Sequence, residues 1–215
     1  MRIKLACSLI CASGALALSG CNAAKYLAYL AAPVGGKQKV LAEYEGLAGH
    51  TVAVVIYADQ SVQYEYPYAR LGLSMSIASE LRQHVKDIRV IAPQRVVAYQ
   101  DQSSDWEGMD RVNLGRSLGA DYLVYLPLDE YSMREPGSIS LFRGRVRGQV
   151  LVYDCAKPER DAKVWQADEL SVIYPPQAPA GEIGQDDSKI KYQTEKLFAD
   201  LLVKKFYTHE VPRFE

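Results

Sequence analysis

Apolar and polar positions change their spacing several times along the chain, and each change marks an element. Residues 51–57 form an unbroken, largely β-branched run, the pattern of a strand buried on both faces. After a polar, tyrosine-rich loop, Pro67 suits a helix start, and Leu71, Met75, Ala78, Leu81 and Val85 recur every three or four residues. Residues 88–91 read as a short strand, and Pro93 opens a turn of helix carrying Val96, Val97 and Tyr99. Ser104 and Glu107 have capping-box spacing, which predicts a helix that runs to Leu118 and stops at Gly119. Residues 121–126 give another buried strand. The order strand, helix, strand, helix, strand predicts parallel, adjacent or near-adjacent strands, because two crossovers of this length return the chain to the same end of a sheet.

From residue 138 to 154 the spacing becomes alternation, and after a polar turn a second alternating run follows, which reads as a long β-hairpin. Phe142, Val146, Val150 and Val152 point one way, and Arg143, Arg145 and Arg147 the other. Requiring one apolar face pairs Val152 with Val164, Val146 with Leu170 and Phe142 with Tyr174, and sets Arg147 opposite Glu169. Ser188 can cap a final helix on which Ile190, Thr194, Leu197, Leu201, Phe198, Leu202 and Phe206 form the apolar face, with Lys204, Lys205 and His209 suiting its C-terminal dipole. The predicted fold is α/β: a mixed sheet of about five strands, βαβαβ followed by the hairpin and a C-terminal helix, with the helices packed on it, as one domain over residues 40–211.

The amino terminus follows different rules. Arg2 and Lys4 form a basic head, residues 5–18 an apolar core, and Leu18-Ser19-Gly20-Cys21 a small-residue site, the pattern of an export signal. At about 14 residues the apolar run is shorter than the roughly 20 that span a bilayer. A Cys directly after Leu-Ser-Gly looks like the lipobox of bacterial lipoproteins; a plain secretory signal with an incidental Cys is the alternative. The resemblance implies that residues 1–20 are cleaved and that Cys21 carries the acyl chains, two or three of which hold a protein to a membrane where one does not. Asn22 differs from the Asp that resembles an inner-membrane retention signal, so the outer membrane is expected, facing the periplasm. Residues 21–39 read as the lipidated Cys and a tether, in which residues 25–30 form either a short headgroup-level helix or part of a mobile linker.

Composition then narrows the function. The 215 residues are 48% hydrophobic and 24% charged, an ordinary globular content that excludes disorder and a disulfide scaffold. Without Arg2 and Lys4 the processed chain carries 23 basic against 26 acidic side chains, a net charge of −3. No basic excess remains to neutralise a nucleic-acid backbone. Cys7 and Cys11 leave with the leader and Cys21 is acylated, so Cys155 is the sole thiol, expected to be sheltered rather than paired between chains.

The strand at residues 52–56, the phrase Leu118-Gly119-Ala120-Asp121-Tyr122-Leu123-Val124 and the return strand starting Val164-Trp165 resemble the α/β domain of curli-secretion (CsgG-type) lipoproteins, LpoB and the amino-terminal domain of TolB. The resemblance covers about three quarters of the processed chain. It implies a non-enzymatic assembly or adaptor role with an envelope protein partner. Channel-forming members have further amphipathic segments, whereas this chain offers one clear hairpin thinned by Gly144 and Gly148, so a pore is not expected.

Enzymatic chemistry lacks its parts. His50, His84 and His209 form no His-x-His or His-Glu-x-x-His pattern, and there is no Gly-x-Ser-x-Gly elbow or glycine-rich phosphate loop. No cofactor or metal is expected. Acidic residues fall in three loops (Glu65; Asp101 and Asp105; Asp129 and Glu130), and a cell-wall glycosidase would need two carboxyls about 5 to 9.5 Å apart. Small-ligand or glycan binding is the alternative to protein binding. The three hairpin arginines suit either anionic headgroups or a solvated face balanced by Asp168 and Glu169.

The candidate binding residues lie in loops that should follow strands ending near Tyr57, Ile91 and Leu128, at the carboxyl edge where open α/β sheets hold ligands. They are Tyr64, Tyr66 and Tyr68, then Trp106, then Tyr131 and Arg134, residue types enriched at interface centres. The other reading has these aromatics folding back as lids over helix ends. Cys21→Ser should leave the membrane fraction as an uncleaved or soluble species; full processing and membrane retention of that variant on fractionation would remove the lipoprotein assignment.

Overall fold

The computed structural model describes residues 36–177, 182–183 and 187–212, so the expected leader, Cys21 and most of the tether lie outside the described residues. The chain divides into two compact units. In the smaller, β1 (Lys37–Val40) pairs with β8 (His209–Pro212), and Lys37 meets Glu210 at 3.2 Å. Residues 37–39, read from sequence as tether, are thus strand.

The larger unit is the expected α/β fold. Its mixed sheet has β2 (Thr51–Tyr57), β3 (Arg89–Val90), β4 (Tyr122–Arg134), β5 (Leu141–Asp154) and β6 (Lys163–Tyr174) in the order β3-β2-β4-β5-β6, and β7 (Glu182–Ile183) adds to β5. β2 lies parallel to both β3 and β4, whereas β4, β5 and β6 are antiparallel. The helices are α1 (Gln60–Glu65), α2 (Ala69–His84), α3 (Pro93–Gln102), α4 (Arg111–Leu118), α5 (Glu159–Ala162) and α6 (Asp187–Val203).

β2 explains the layering. Val52, Val54 and Ile56 enter the larger core with Leu73, Ile77 and Leu81 of α2 and Ile190, Phe198 and Leu202 of α6. Ala53 and Val55 enter a smaller core on the other face with Val96 of α3 and Leu114 and Leu118 of α4. Successive side chains of a strand alternate in direction, so a strand covered on both sides must be apolar throughout.

The long strands depart from simple alternation. In β4, Val124, Leu126 and Leu128 face the larger core, then Asp129 is an extra residue in the ladder, and beyond it Tyr131 and Met133 face that core instead. The bulge reverses the parity, and β4 runs on to Arg134 where the sequence had suggested a loop after Leu128. The β5–β6 register also differs from expectation. Val152 faces Trp165, Val146 faces Val172, Gly144 faces Tyr174 and Arg147 faces Ser171, so the Arg147–Glu169 pairing does not occur. Both irregularities place their extra residues on β6, one of them at Asp168 and Glu169, and together they slip the far half by two residues, which restores the apolar face. Arg147 meets Glu130 on β4 at 3.7 Å instead.

Four helices also differ from their sequence readings. The tyrosine-rich loop contains α1, because the Asp59 carboxylate accepts from Val62 N at 2.8 Å and caps it. Asp110, accepting from Asn113 N at 2.9 Å, starts α4 six residues after Ser104, although Gly119 ends it in the left-handed conformation as expected. On α2 the buried row is Ala69, Leu73, Ile77 and Leu81, while Met75 is exposed. Leu73 and Met75 lie about 200° apart round a helix, so both sides of α2 are apolar and period alone does not choose between them. On α6, Glu195 and Ala199 are buried in place of Leu197, which is exposed.

Gly144 and Gly148 are sites of close approach. A Cβ on Gly148 would lie 2.5 Å from the Pro127 carbonyl, and one on Gly144 would overlap the side chain of Thr194, where α6 crosses β5. Gly144→Ala should therefore cost about 1–3 kcal/mol in urea unfolding, the usual penalty of overpacking, and Thr194→Ala in the same chain should recover part of it.

Candidate functional site

Where β4 and β5 extend past the helices, the residues line a cleft of about 590 Å³, with Glu65 and Tyr66 on one side and Glu130, Ser132, Arg134 and residues 135–139 on the other. Tyr66 ends α1, its N–H donating to the Val62 carbonyl at 2.7 Å. Its hydroxyl accepts from Met133 N at 3.1 Å, at a point where the β4–β5 register skips Met133. A backbone donor left out of the ladder is costly when buried, so Tyr66 completes the β4 irregularity as well as lining the cleft. Tyr64 and Tyr68, on either side of Tyr66 in sequence, are 91% and 71% exposed, and Ile139 at the hairpin end is 86% exposed.

The far wall is fixed by charge. Glu135 accepts from Arg145 at 2.6 Å through both oxygens and from Arg143 at 3.2 Å, and these hydrogen bonds hold its carboxyl below the ordinary range. Arg134 reaches Asp187 at the start of α6 at 2.6 Å and lies over the Phe142 ring at 5.4 Å. The hairpin arginines are therefore taken up by Glu135 and Glu130 rather than by Asp168 and Glu169.

Of the sequence-selected residues, the cleft brings together Tyr66 and Arg134, with Glu65 and Glu130 from the acidic set. Trp106 is only 4% exposed and lies against Tyr57 in the smaller core, a fold-back position rather than a surface one. Tyr131 is 3% exposed, because the Asp129 bulge turns it inward. Its ring contacts Tyr66 edge-on at 5.3 Å, and its hydroxyl donates to Glu195 Oε1 at 2.6 Å. Tyr66, Tyr131 and Glu195 thus run from the cleft through the core to α6. Burial raises the Glu195 carboxyl above its ordinary value, against the opposing effects of the Tyr131 hydrogen bond and Lys191. Sequence reasoning passed over Glu195, although it shares a helical row with Phe198, Ala199 and Leu202.

Cys155, His84 and Asp101 are engaged elsewhere in the fold. Cys155 is a free, buried thiol whose pKa is pushed up to about 11, chiefly by burial. His84 pairs with Glu80 at 3.3 Å and stacks on Tyr207. Asp101 accepts from Arg70 at 2.6 Å. Among the described residues, no group of three or more His, Cys, Asp or Glu side chains is arranged to hold a metal, and no helix is long and apolar enough to cross a membrane.

A buried carboxyl that holds its proton more tightly in the folded than in the unfolded chain costs stability as pH rises. Stability should fall from about pH 4.5, where an unfolded Glu ionises, up to the raised folded value. Glu195→Gln should flatten that fall in urea titrations across pH, whereas Tyr131→Phe should cost about 1–3 kcal/mol by leaving a buried acceptor unpaired.

No protein-family model and no curated protein matches this chain. Among solved structures it is similar to the PelC dodecamer from Paraburkholderia phytofirmans, with 16% identity over 80% of this chain and 97% of that one and a TM-score of 0.43. It is also similar to lipoprotein GNA1162 from Neisseria meningitidis, with 14% identity, 71% and 97% coverage and a TM-score of 0.42. The LpoB C-terminal domain from Salmonella enterica shares 14% identity over 60% of this chain and 87% of that one, at a TM-score of 0.35.

Proposed function

We propose that this chain is a lipid-anchored protein-binding module of the bacterial cell envelope, held to the outer membrane through acyl chains on Cys21, facing the periplasm, and acting without catalysis in envelope assembly or maintenance. The anchor is supported by Leu18-Ser19-Gly20-Cys21 at the end of a short apolar run. The binding role is carried by one observation: Tyr64 and Tyr68 are largely exposed on either side of the cleft residue Tyr66 in sequence, on a segment fixed by the Asp59 cap and the Tyr66–Met133 hydrogen bond. Large aromatic area held on a rigid segment binds with little loss of side-chain freedom. The cleft volume of about 590 Å³ also falls in the range of small-molecule sites, which favours glycan or small-ligand binding as the second reading.

Tyr64→Ala and Tyr68→Ala together should lower capture of the native partner from solubilised envelope membranes at least tenfold while moving Tm by less than about 2 °C. Unchanged capture, or loss of folding, would remove these tyrosines from the interface. Saturable binding of cell-wall glycan fragments that the double variant abolishes would favour the second reading.

A further inference from the structure

A second opening lies away from the cleft, between α2 and α6. It measures about 460 Å³ and is lined by Gly72, Met75, Ser76, Glu80, Tyr192, Glu195 and neighbouring residues of both helices. Glu195 is 5% exposed yet reaches this groove, and among the described residues no basic side chain pairs with it. Its one described hydrogen bond comes from the neutral Tyr131 hydroxyl. Lys196 lines the same groove and Lys191 lies one turn back on α6, but neither closes on the carboxylate.

The carboxyl is accommodated by a glycine. A Cβ on Gly72 would lie 2.6 and 2.9 Å from the two Glu195 oxygens, so any larger residue at this position of α2 would displace them. Gly inside a helix costs about 1 kcal/mol relative to Ala, and here it makes room for a buried carboxyl at the floor of the groove. Met75 and Tyr192 are both exposed at the rim, and Tyr192 precedes Glu195 by three residues, so the two side chains share one face of α6.

We propose that the groove between α2 and α6 receives an arginine side chain of a partner protein, its guanidinium on the Glu195 carboxylate and its stem between Met75 and Tyr192. This rests on the protein-binding reading and gives the partner a chemistry. Arginine fits better than lysine for two reasons: a planar fork matches the two carboxylate oxygens, and a weakly hydrated cation loses less on entering a recess and can lie on the Tyr192 ring. The approach of a cation also favours the ionised carboxylate, which burial disfavours. Glu80, on the α2 side, already has His84 as its partner at 3.3 Å, so Glu195 is the acid left for the incoming charge.

The test is an NMR titration of the ¹⁵N-labelled full chain with Nα-acetyl-arginine methylamide, using the neutral citrulline analogue as the matched control. Saturable shifts of the Gly72, Met75, Ser76 and Tyr192 amides are expected with arginine. Citrulline should bind at least tenfold more weakly. Glu195→Gln should reduce arginine binding at least tenfold, and Tyr192→Ala, an exposed change that spares the core, severalfold. Equal binding of citrulline, no saturable shift at the groove, or unchanged binding in both variants overturns the proposal; should Glu195→Gln not fold, the citrulline comparison and Tyr192→Ala still decide it. Loss of partner capture on changing Tyr64 and Tyr68 without arginine binding at the groove would sustain the module reading and remove only this site.

Discussion

Beyond residue 128, the two faces of β4 are set by one extra residue. Up to Leu128, β4 turns its even-numbered side chains to the larger core; after Asp129 it turns the odd-numbered ones. The reversal sends Tyr131 inward to Tyr66 and Glu195, and leaves Glu130 to meet Arg147 across the ladder. Without the inserted residue, period-two alternation would bring Glu130 and Ser132 into the core and Tyr131 to the surface. The cleft wall, the buried carboxyl and the path between them share this one cause.

The part of the fold that could be read from sequence is the part whose residues leave no choice of face. β2 is apolar at every interior position and needs no phase, so its place in the sheet follows from composition alone. Gly119 is similar: a glycine after the last periodic residue of α4 adopts the left-handed conformation that ends a helix. Where two phases were available, pattern was insufficient. α2 is apolar on both sides, and tertiary packing chose Leu73 and Ile77 over Leu71 and Met75. In β6, the pairing of Arg147 with Glu169 was attractive on charge, but Glu169 sits in a bulge that counting alternate residues does not reveal.

The site was legible to the same extent. Tyr66 and Arg134 meet at the cleft, and Tyr64 and Tyr68 are exposed, because a short tyrosine-rich segment beside a strand end has little room to bury all its rings. Trp106 and Tyr131 belong to cores. Trp106 lies in the turns ahead of α4 and Tyr131 past the bulge, and both places depend on local geometry that residue type does not encode. Glu195 was hidden for the opposite reason: a charged residue on an amphipathic helix is ordinarily solvated, and only Gly72 on the facing helix makes room for it.

The bulges of β6 bear on self-association. A long, straight strand with a free margin is a template for other chains. Kinks at two points and the acidic pair Asp168 and Glu169 break that margin into short pieces that cannot propagate a continuous ladder. The irregular strand thus gives the sheet an edge on which a second copy of the chain cannot add strands in register.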